Sequence, residues 1–389
     1  VKVVIYCQHV LGMGHFARTV AICRALADHA VVLVSGGPQA PFALPAHVRA
    51  VALPELAMDR DFQNLRATAG GALDQTLAQR RETLRAVLRE EKPDVFLLEL
   101  YPLGRKAFRH ELDPVLADIA AGRLPVGHVI SSVRDILVEK ENAAKHEARA
   151  VRVLNQWFQA LLVHADPRVV RLETTFGRLA EIRIPVIYTG FVSAADRPAF
   201  DRTAFRARVG IPADHRLVVA SAGSGAVGFP LLQATVRAVK QNTSAPPLFL
   251  QVFTGPHMPA AEQSLLQRET CAAIQVADFS PEFRSWLRAA DLSVSMAGYN
   301  TCMDILATGV PALVWPFAQN REQGLRAGLL AARDALRVLV QADLAPDRLA
   351  ACLTAAQTLH PARTAIDLAG ARGTAAALER LCQTKGRPV

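Results

Sequence analysis

The sequence predicts two α/β domains of Rossmann-like type, each built on a parallel sheet, and three observations carry that reading. The chain has 389 residues, more than one hydrophobic core usually organises. Strand-length apolar runs alternate with amphipathic helical stretches, and the runs are continuously apolar, as in strands covered on both faces. The rhythm then restarts. Both halves open as strand, Gly-rich loop, helix, first in "VVIYCQHVLGMGHFARTVAICRAL" and again in "LVVASAGSGAVGFPLLQATVRAV".

In the first half, strands are expected at 2–7, 30–35, 94–99, 126–131, 160–163 and 186–189, with helices at 15–27, 74–90 and 139–157. In the second, strands are expected at 216–221, 247–253, 273–276, 292–295 and 311–315, with helices at 229–241, 260–269, 281–289, 301–307 and 322–332. Two Ala-rich helices follow near 345–357 and 363–384. The stretch "VSAADRPAFDRTAFRARVGIPADHR" is polar, contains prolines and lacks strand periodicity, which puts the linker near 192–203. The expected domains are therefore 1–192 and 203–365, with 366–389 a C-terminal helix and tail packing back on the first. Tandem open sheets of this kind are expected to face each other across a cleft lined by the carboxyl ends of their strands.

The formal charge is +9. Its arginines are scattered over helices among acids, with no Lys/Arg block and no aromatic-rich RNA-binding motif. Solvated helix faces come first, an anionic ligand or membrane surface second, and nucleic acid is not expected. None of the six cysteines forms a C-x-x-C pair, so most are expected to be reduced and buried, with no zinc site. No apolar run approaches the roughly 18 to 20 residues of a membrane span. The N-terminus reads as a strand rather than a signal peptide, so the expected location is cytoplasmic. The stretch 74–90 reads as a sheet-covering helix, though its arginines could also support peripheral contact at the inner membrane face.

Residues 12–17, "GMGHFA", and 223–228, "GSGAVG", both follow a strand and open a helix. Such loops bring backbone N–H groups and a helix N-terminus to a phosphate. A dinucleotide site would also need an acid ending the second strand, to hold the ribose. Those strands end "VVLVSGGP" and "LQVFTGPH", with none. His15 directly follows Gly14 at a helix start, where the dipole disfavours protonation and leaves a neutral imidazole able to act as a base. Glu99 and Tyr101, then Arg134 and Asp135, lie at or just past the ends of two apolar strands, and Ser221 and Ser224 sit in the second loop. Asp304 sits about one turn into a helix beginning near Gly298 and Thr301, followed by Gln319, Asn320 and Gln323. Asp304 could stabilise a helix start or accept hydrogen bonds from a ribose diol.

Together these segments resemble the GT-B glycosyltransferases, in particular the branch of the peptidoglycan N-acetylglucosaminyltransferase and its family 28 C-terminal-like module. The resemblance is strongest over 276–326: a strand ending toward Phe279, a helix ending in Ala-Asp, a Gly-x-x-Thr-x-x-acid helix start, Gly-x-Pro, then Pro-Phe and a Gln-rich loop. It implies that Gly223, Ser224 and Gly225 cradle a diphosphate and that the backbone at Phe279 and Ser280 meets the base. Gly298 and Thr301 lie beside the phosphates, Asp304 replaces the family's ribose-binding Glu, and Gln319 and Gln323 face the donor sugar. On the acceptor side it implies Gly12, Gly14 and Arg134, with His15 as base and Glu99 or Asp135 orienting it or replacing it. The implied activity is inverting, metal-independent transfer from a nucleotide sugar, expected to be UDP-linked, to a small-molecule or lipid-linked glycan acceptor. No cofactor or metal is expected. The segment "GMGHFARTVAICRAL" is also similar to UDP-sugar hydrolases of the pseudaminic acid pathway, and a non-catalytic nucleotide-sugar-binding protein is the third reading.

Overall fold

The computed structural model describes residues 1–8, 14–37, 43–58, 65–67, 72–137, 142–193, 199–243, 245–356 and 365–383. The first unit starts with β1 (Lys2–Gln8), α1 (Gly14–Ala25), β2 (Ala30–Gly36), β3 (Val48–Ala52) and a small antiparallel pair, β4 (Leu56–Met58) and β5 (Leu65–Ala67). It continues with α2 (Leu73–Glu91), β6 (Val95–Glu99), α3 (Arg109–Ala120), β7 (His128–Arg134), α4 (Ala143–Trp157), β8 (Ala160–His164) and β9 (Val186–Tyr188). Its sheet is parallel, in the order β3-β2-β1-β6-β7-β8-β9. The apolar runs of β1, β6 and β8 are buried along their length, as strands covered on both faces must be.

The second unit holds α5 (Arg202–Arg208), β10 (Arg216–Ser221), α6 (Phe229–Gln241), β11 (Leu248–Phe253), α7 (Ala260–Gln267), β12 (Ile274–Ala277) and α8 (Phe283–Ala289). It closes with β13 (Leu292–Met296), α9 (Tyr299–Thr308), β14 (Ala312–Trp315), α10 (Arg321–Ala331), β15 (Arg337–Val338) and α11 (Pro346–Ala356). This sheet too is parallel, ordered β12-β11-β10-β13-β14-β15. Its core lies between Val218, Ala220, Val252 and Val294 on the strands and Leu231, Leu232, Val236, Leu349 and Leu353 on α6 and α11. Contacts divide the chain into Val1–Ala195 with Asp367–Val389, and Asp196–Ile366. The last helix, α12 (Gly370–Gln383), belongs to the first unit and packs Ala371, Ala375 and Leu378 into the core formed by Phe16, Val20 and Cys23.

Several elements differ from the sequence reading. Strand β3 is exposed at three of its five positions, so it lacks the continuous apolar run that marks the others. Pro114 lies inside α3 and hides its helical pattern. The seven-residue α5 falls in the polar stretch between the halves and overlaps the linker read at 192–203 only at its start; of that linker 194–198 lie outside the described residues. The Asp201 carboxylate caps it by accepting from Ala204 N at 2.9 Å. Arg202 then reaches Asp291 at 2.6 Å, Arg206 bonds the same carboxylate, and Asp291 also accepts from Leu217 N at 2.7 Å. The final helix starts at Gly370 rather than 363, because Ala369 forms a bridge with Val192 and Asp367 O accepts from Phe191 N. Cys271 is exposed, whereas Cys7, Cys23, Cys302 and Cys352 are buried. Among the described residues no helix is long and apolar enough to cross a membrane.

One buried ion pair ties β1 to α2 and α3. Arg80 donates to Glu111 through Nε at 2.6 Å and Nη2 at 2.9 Å, and both side chains are fully buried. Arg80 also donates to Pro54 O at 2.6 Å and Gln8 Oε1 at 2.8 Å, while the Tyr6 hydroxyl donates to Glu111. Removing one partner strands the other charge in the core. Glu111→Ala is expected to cost about 3–5 kcal/mol in urea denaturation, and the paired apolar replacement Arg80→Met with Glu111→Leu far less.

Candidate functional site

Two groups of polar side chains collect at the carboxyl ends of the strands, one in each unit. In the first, the sheet order reverses direction between β1 and β6, which makes this the switch point of the topology. His15, on the first turn of α1 after β1, meets Glu99 at the end of β6: Nδ1 lies 2.6 Å from Oε1. Arg18, three residues on and so on the same helical face, donates to the same oxygen at 2.5 Å and lies 3.1 Å from His15 Nδ1. Arg105 approaches the other oxygen, Oε2, at 3.6 Å.

This arrangement fixes the protonation states. Burial lowers the His15 imidazole from 6.5 to about 4; Glu99 pulls it upward, and the Arg105 and Arg18 charges add to the lowering. Burial alone would raise Glu99, but His15, Arg105 and Arg18 overcome it and hold the carboxyl well below the usual range. A neutral imidazole beside an ionised carboxylate donates Nδ1–H to Glu99, which leaves Nε2 as the basic atom of the ring. His164, at the end of β8, is fully buried and also neutral, lowered to about 3 by burial and by Arg18. Its Nε2 lies 2.5 Å from Ser132 Oγ and its Nδ1 2.8 Å from Thr189 Oγ1, so it joins strands within the core.

In the second unit the switch point lies between β10 and β13. The loop after β10 turns through Gly223 at φ 65° and Gly225 at φ 95°. A Cβ on Gly225 would come within 2.5 Å of Thr254 O and 2.8 Å of Met258 N, so only glycine lets the two loops lie back to back. Among the described residues no acceptor is found for the N–H groups of Gly223, Ser224, Ala226, Val227 and Gly228, which lead into α6. Beneath them the hydroxyls of Ser221, Thr254 and Ser295 are buried and have no hydrogen-bond partner among the described residues. Backbone donors aimed off a helix start form an anion cradle.

Across the switch point, Gly298 caps α9 and Asp304 lies one turn in. Arg284 of α8 pairs with it, Nε to Oδ1 at 3.2 Å, and the carboxylate is 20% exposed. Burial raises Asp304 to about 6 against the opposing charge of Arg284. Among the described residues no group of three His, Cys, Asp or Glu could hold a metal ion.

Residues 221–369 match the model of the glycosyltransferase family 28 C-terminal domain. Related sequences include the UDP-N-acetylglucosamine–N-acetylmuramyl-(pentapeptide) pyrophosphoryl-undecaprenol N-acetylglucosamine transferases of Mesorhizobium japonicum and Rhodopseudomonas palustris. The first is 34% identical over 102 residues, 26% of this chain and 27% of the relative. The second is 35% identical over 117 residues, 29% and 32%. The alignments thus span about a third or less of those relatives. Solved structures match over the whole length: a kitacinnamycin glycotransferase (18% identity, 99% of both chains, TM-score 0.61) and Acinetobacter baumannii MurG (17%, 97% of this chain and 99% of the other, 0.58). A putative UDP-N-acetylglucosamine 2-epimerase from Listeria monocytogenes does so as well (14%, 100% and 98%, 0.62). The fold is GT-B.

Within residues 221–369, Gly223, Ser224 and Gly225 lie in the glycine turn, with Ser224 exposed. Phe279 is 45% exposed, while Ser280 Oγ accepts from Glu282 N at 3.1 Å. Gln319 is exposed on the loop before α10. Gln323 Oε1 accepts from Phe317 N at 3.1 Å, so that oxygen shapes the loop and the amide NH2 remains as its donor group. In the first unit Gly14 starts α1, and Gly12 lies outside the described residues. Glu99 is the carboxylate bonded to His15; Asp135 is fully buried just past β7, and Arg134 ends that strand half-buried. The sequence reading missed Arg18, Arg105 as a neighbour of Glu99, and Arg284. Of these only Arg18 left a local signal, its i,i+3 spacing from His15.

The unfolded chain takes up a proton on His15 near 6.5 and the folded chain only near 4, so this group's stability contribution is lost as pH falls through that window. Imidazole NMR of the folded protein should show His15 titrating near pH 4. Glu99→Gln removes the one neighbour that favours the imidazolium and should move that midpoint lower still.

Proposed function

We propose that this protein transfers a sugar from a nucleotide sugar to an acceptor hydroxyl. The observation that carries the reading is the match to the family 28 C-terminal domain, together with the N–H groups of Gly223, Ser224, Ala226, Val227 and Gly228, which have no acceptor among the described residues. The donor would be UDP-linked, since the related transferases are named for UDP-N-acetylglucosamine. Its diphosphate sits on that loop and the start of α6, the ribose diol donates to Asp304, and the base lies against Phe279 and Ser280. Gly298 and Thr301 border the phosphates, and Gln319 with the Gln323 amide contacts the sugar.

The acceptor, a small molecule or lipid-linked glycan, binds on the first unit with its hydroxyl at His15 Nε2. As the hydroxyl oxygen bonds to the anomeric carbon, His15 takes its proton and Glu99 stabilises the imidazolium. The bond to the diphosphate breaks and its electron pair stays on the leaving phosphate oxygen. Attack opposite that group inverts the anomeric carbon. The loop donors stabilise the charge that develops on the diphosphate, the electrostatic work a metal does elsewhere. The acceptor and donor sites call for no membrane span, and the reaction belongs on the cytoplasmic side, where nucleotide sugars are found.

His15→Ala is expected to lower turnover about 10²–10⁴-fold while donor affinity stays the same. Unchanged turnover removes His15 from the base role. Asp304→Asn should weaken UDP binding in titration calorimetry with less effect on turnover, and wild-type UDP affinity should fall as pH drops through about 6. Nucleotide release should depend on added acceptor extract. Release without acceptor means hydrolysis, and tight binding without release means a binding protein.

A further inference from the structure

Arg105 stands beside the His15–Glu99 centre without a hydrogen-bond acceptor among the described residues. Arg105 lies in the turn after β6, on left-handed backbone at φ 55°, as does Leu100 at φ 65°. The turn is tightly held: Gly104 N donates to Leu100 O at 2.6 Å and Phe108 N to Arg105 O at 2.9 Å. A Cβ on Gly104 would lie 2.6 Å from Leu100 Cγ. Such backbone persists where its surroundings enforce it, and here it fixes the direction of the Arg105 side chain.

That side chain is 13% exposed, and its Nε and Nη2 are buried without a hydrogen-bond acceptor among the described residues. One oxygen of the carboxylate it approaches is already committed, and the other pairs with Arg105 only at ion-pair distance. Glu99 Oε1 accepts from Arg18 and His15, and Oε2 is 3.6 Å from Arg105 and makes no hydrogen bond among the described residues. With His15 neutral, two guanidinium groups share one carboxylate. A guanidinium fork held in place, desolvated and without an acceptor is built for an oxyanion.

We infer that Arg105 is an acceptor-side anion site, holding a carboxylate or phosphate of the acceptor substrate beside His15. The inference rests on the proposed transfer reaction and adds the chemical class of its acceptor. It also couples binding to catalysis. An anion at Arg105 offsets the positive field that depresses the imidazole, so His15 becomes a stronger base when the acceptor is in place. Water, which brings no such charge, meets the weaker base.

The test uses the full-length protein with UDP present to occupy the donor loop, and follows the His15 imidazole by NMR. Inorganic phosphate and acetate are added separately at constant ionic strength, with chloride as the control. Phosphate, acetate or both should raise the His15 midpoint by about 1 pH unit, and whichever acts identifies the anion class. Arg105→Gln should abolish the response and Arg105→Lys should keep part of it. No response in the wild type, or an equal one in Arg105→Gln, overturns the inference. Should a variant fail to fold, the wild-type titration alone still decides. A protein that responds through Arg105 yet transfers no sugar keeps the anion site and loses the proposed function. One that transfers sugar with no anion response loses only the anion site.

Discussion

In both large sheets every strand pairs in parallel with its neighbours, so every strand delivers its carboxyl end to the same edge. Connections must then cross over a face of the sheet, and where strand order reverses, successive connections leave on opposite faces. The reversal falls between β1 and β6 in one sheet and between β10 and β13 in the other. His15 and Glu99 stand on the two sides of the first. The Gly223–Gly228 turn and the Gly298 helix start stand on the two sides of the second. Residues 84 positions apart reach hydrogen-bond distance in this way.

The two carboxylates at these points illustrate how environment sets charge. Both are taken out of water, which raises a carboxyl. Glu99 meets Arg18 at 2.5 Å, His15 at 2.6 Å and Arg105 at 3.6 Å, and these overcome burial. Asp304 has Arg284 at 3.2 Å, and burial prevails. One group is a permanently charged partner for an imidazole. The other ionises within reach of physiological pH.

Much of this was legible in the sequence, because burial on both faces leaves a visible mark. β1, β6 and β10 read as strands from their apolar runs, and two Gly-x-Gly turns marked the crossovers. Edge strand β3, buried only at Val48, left no such run, and α5 depends on Asp291, about 90 residues along the chain. His15 and Glu99 could each be singled out by position at a strand end. Their pairing, and the choice of Glu99 over Asp135, could not, since it depends on which strands are neighbours. Asp304 was visible as an acid in a helix start; Arg284, on a different helix, was not. Gln323 shows the converse, since its sequence position suggests a ligand contact while part of its amide is used to hold Phe317 N.

The glycine turn after β10 is the proposed seat of the nucleotide diphosphate. Titration calorimetry of UDP against the wild type and Gly225→Val tests this directly, with circular dichroism to verify that the variant is folded. A Val side chain at φ 95° would drive into Thr254 O and displace the turn. The account predicts that the wild type binds UDP and that the folded variant loses at least about tenfold in affinity, about 1.4 kcal/mol. A wild type that binds no nucleotide, or a folded variant that binds UDP equally well, would contradict it.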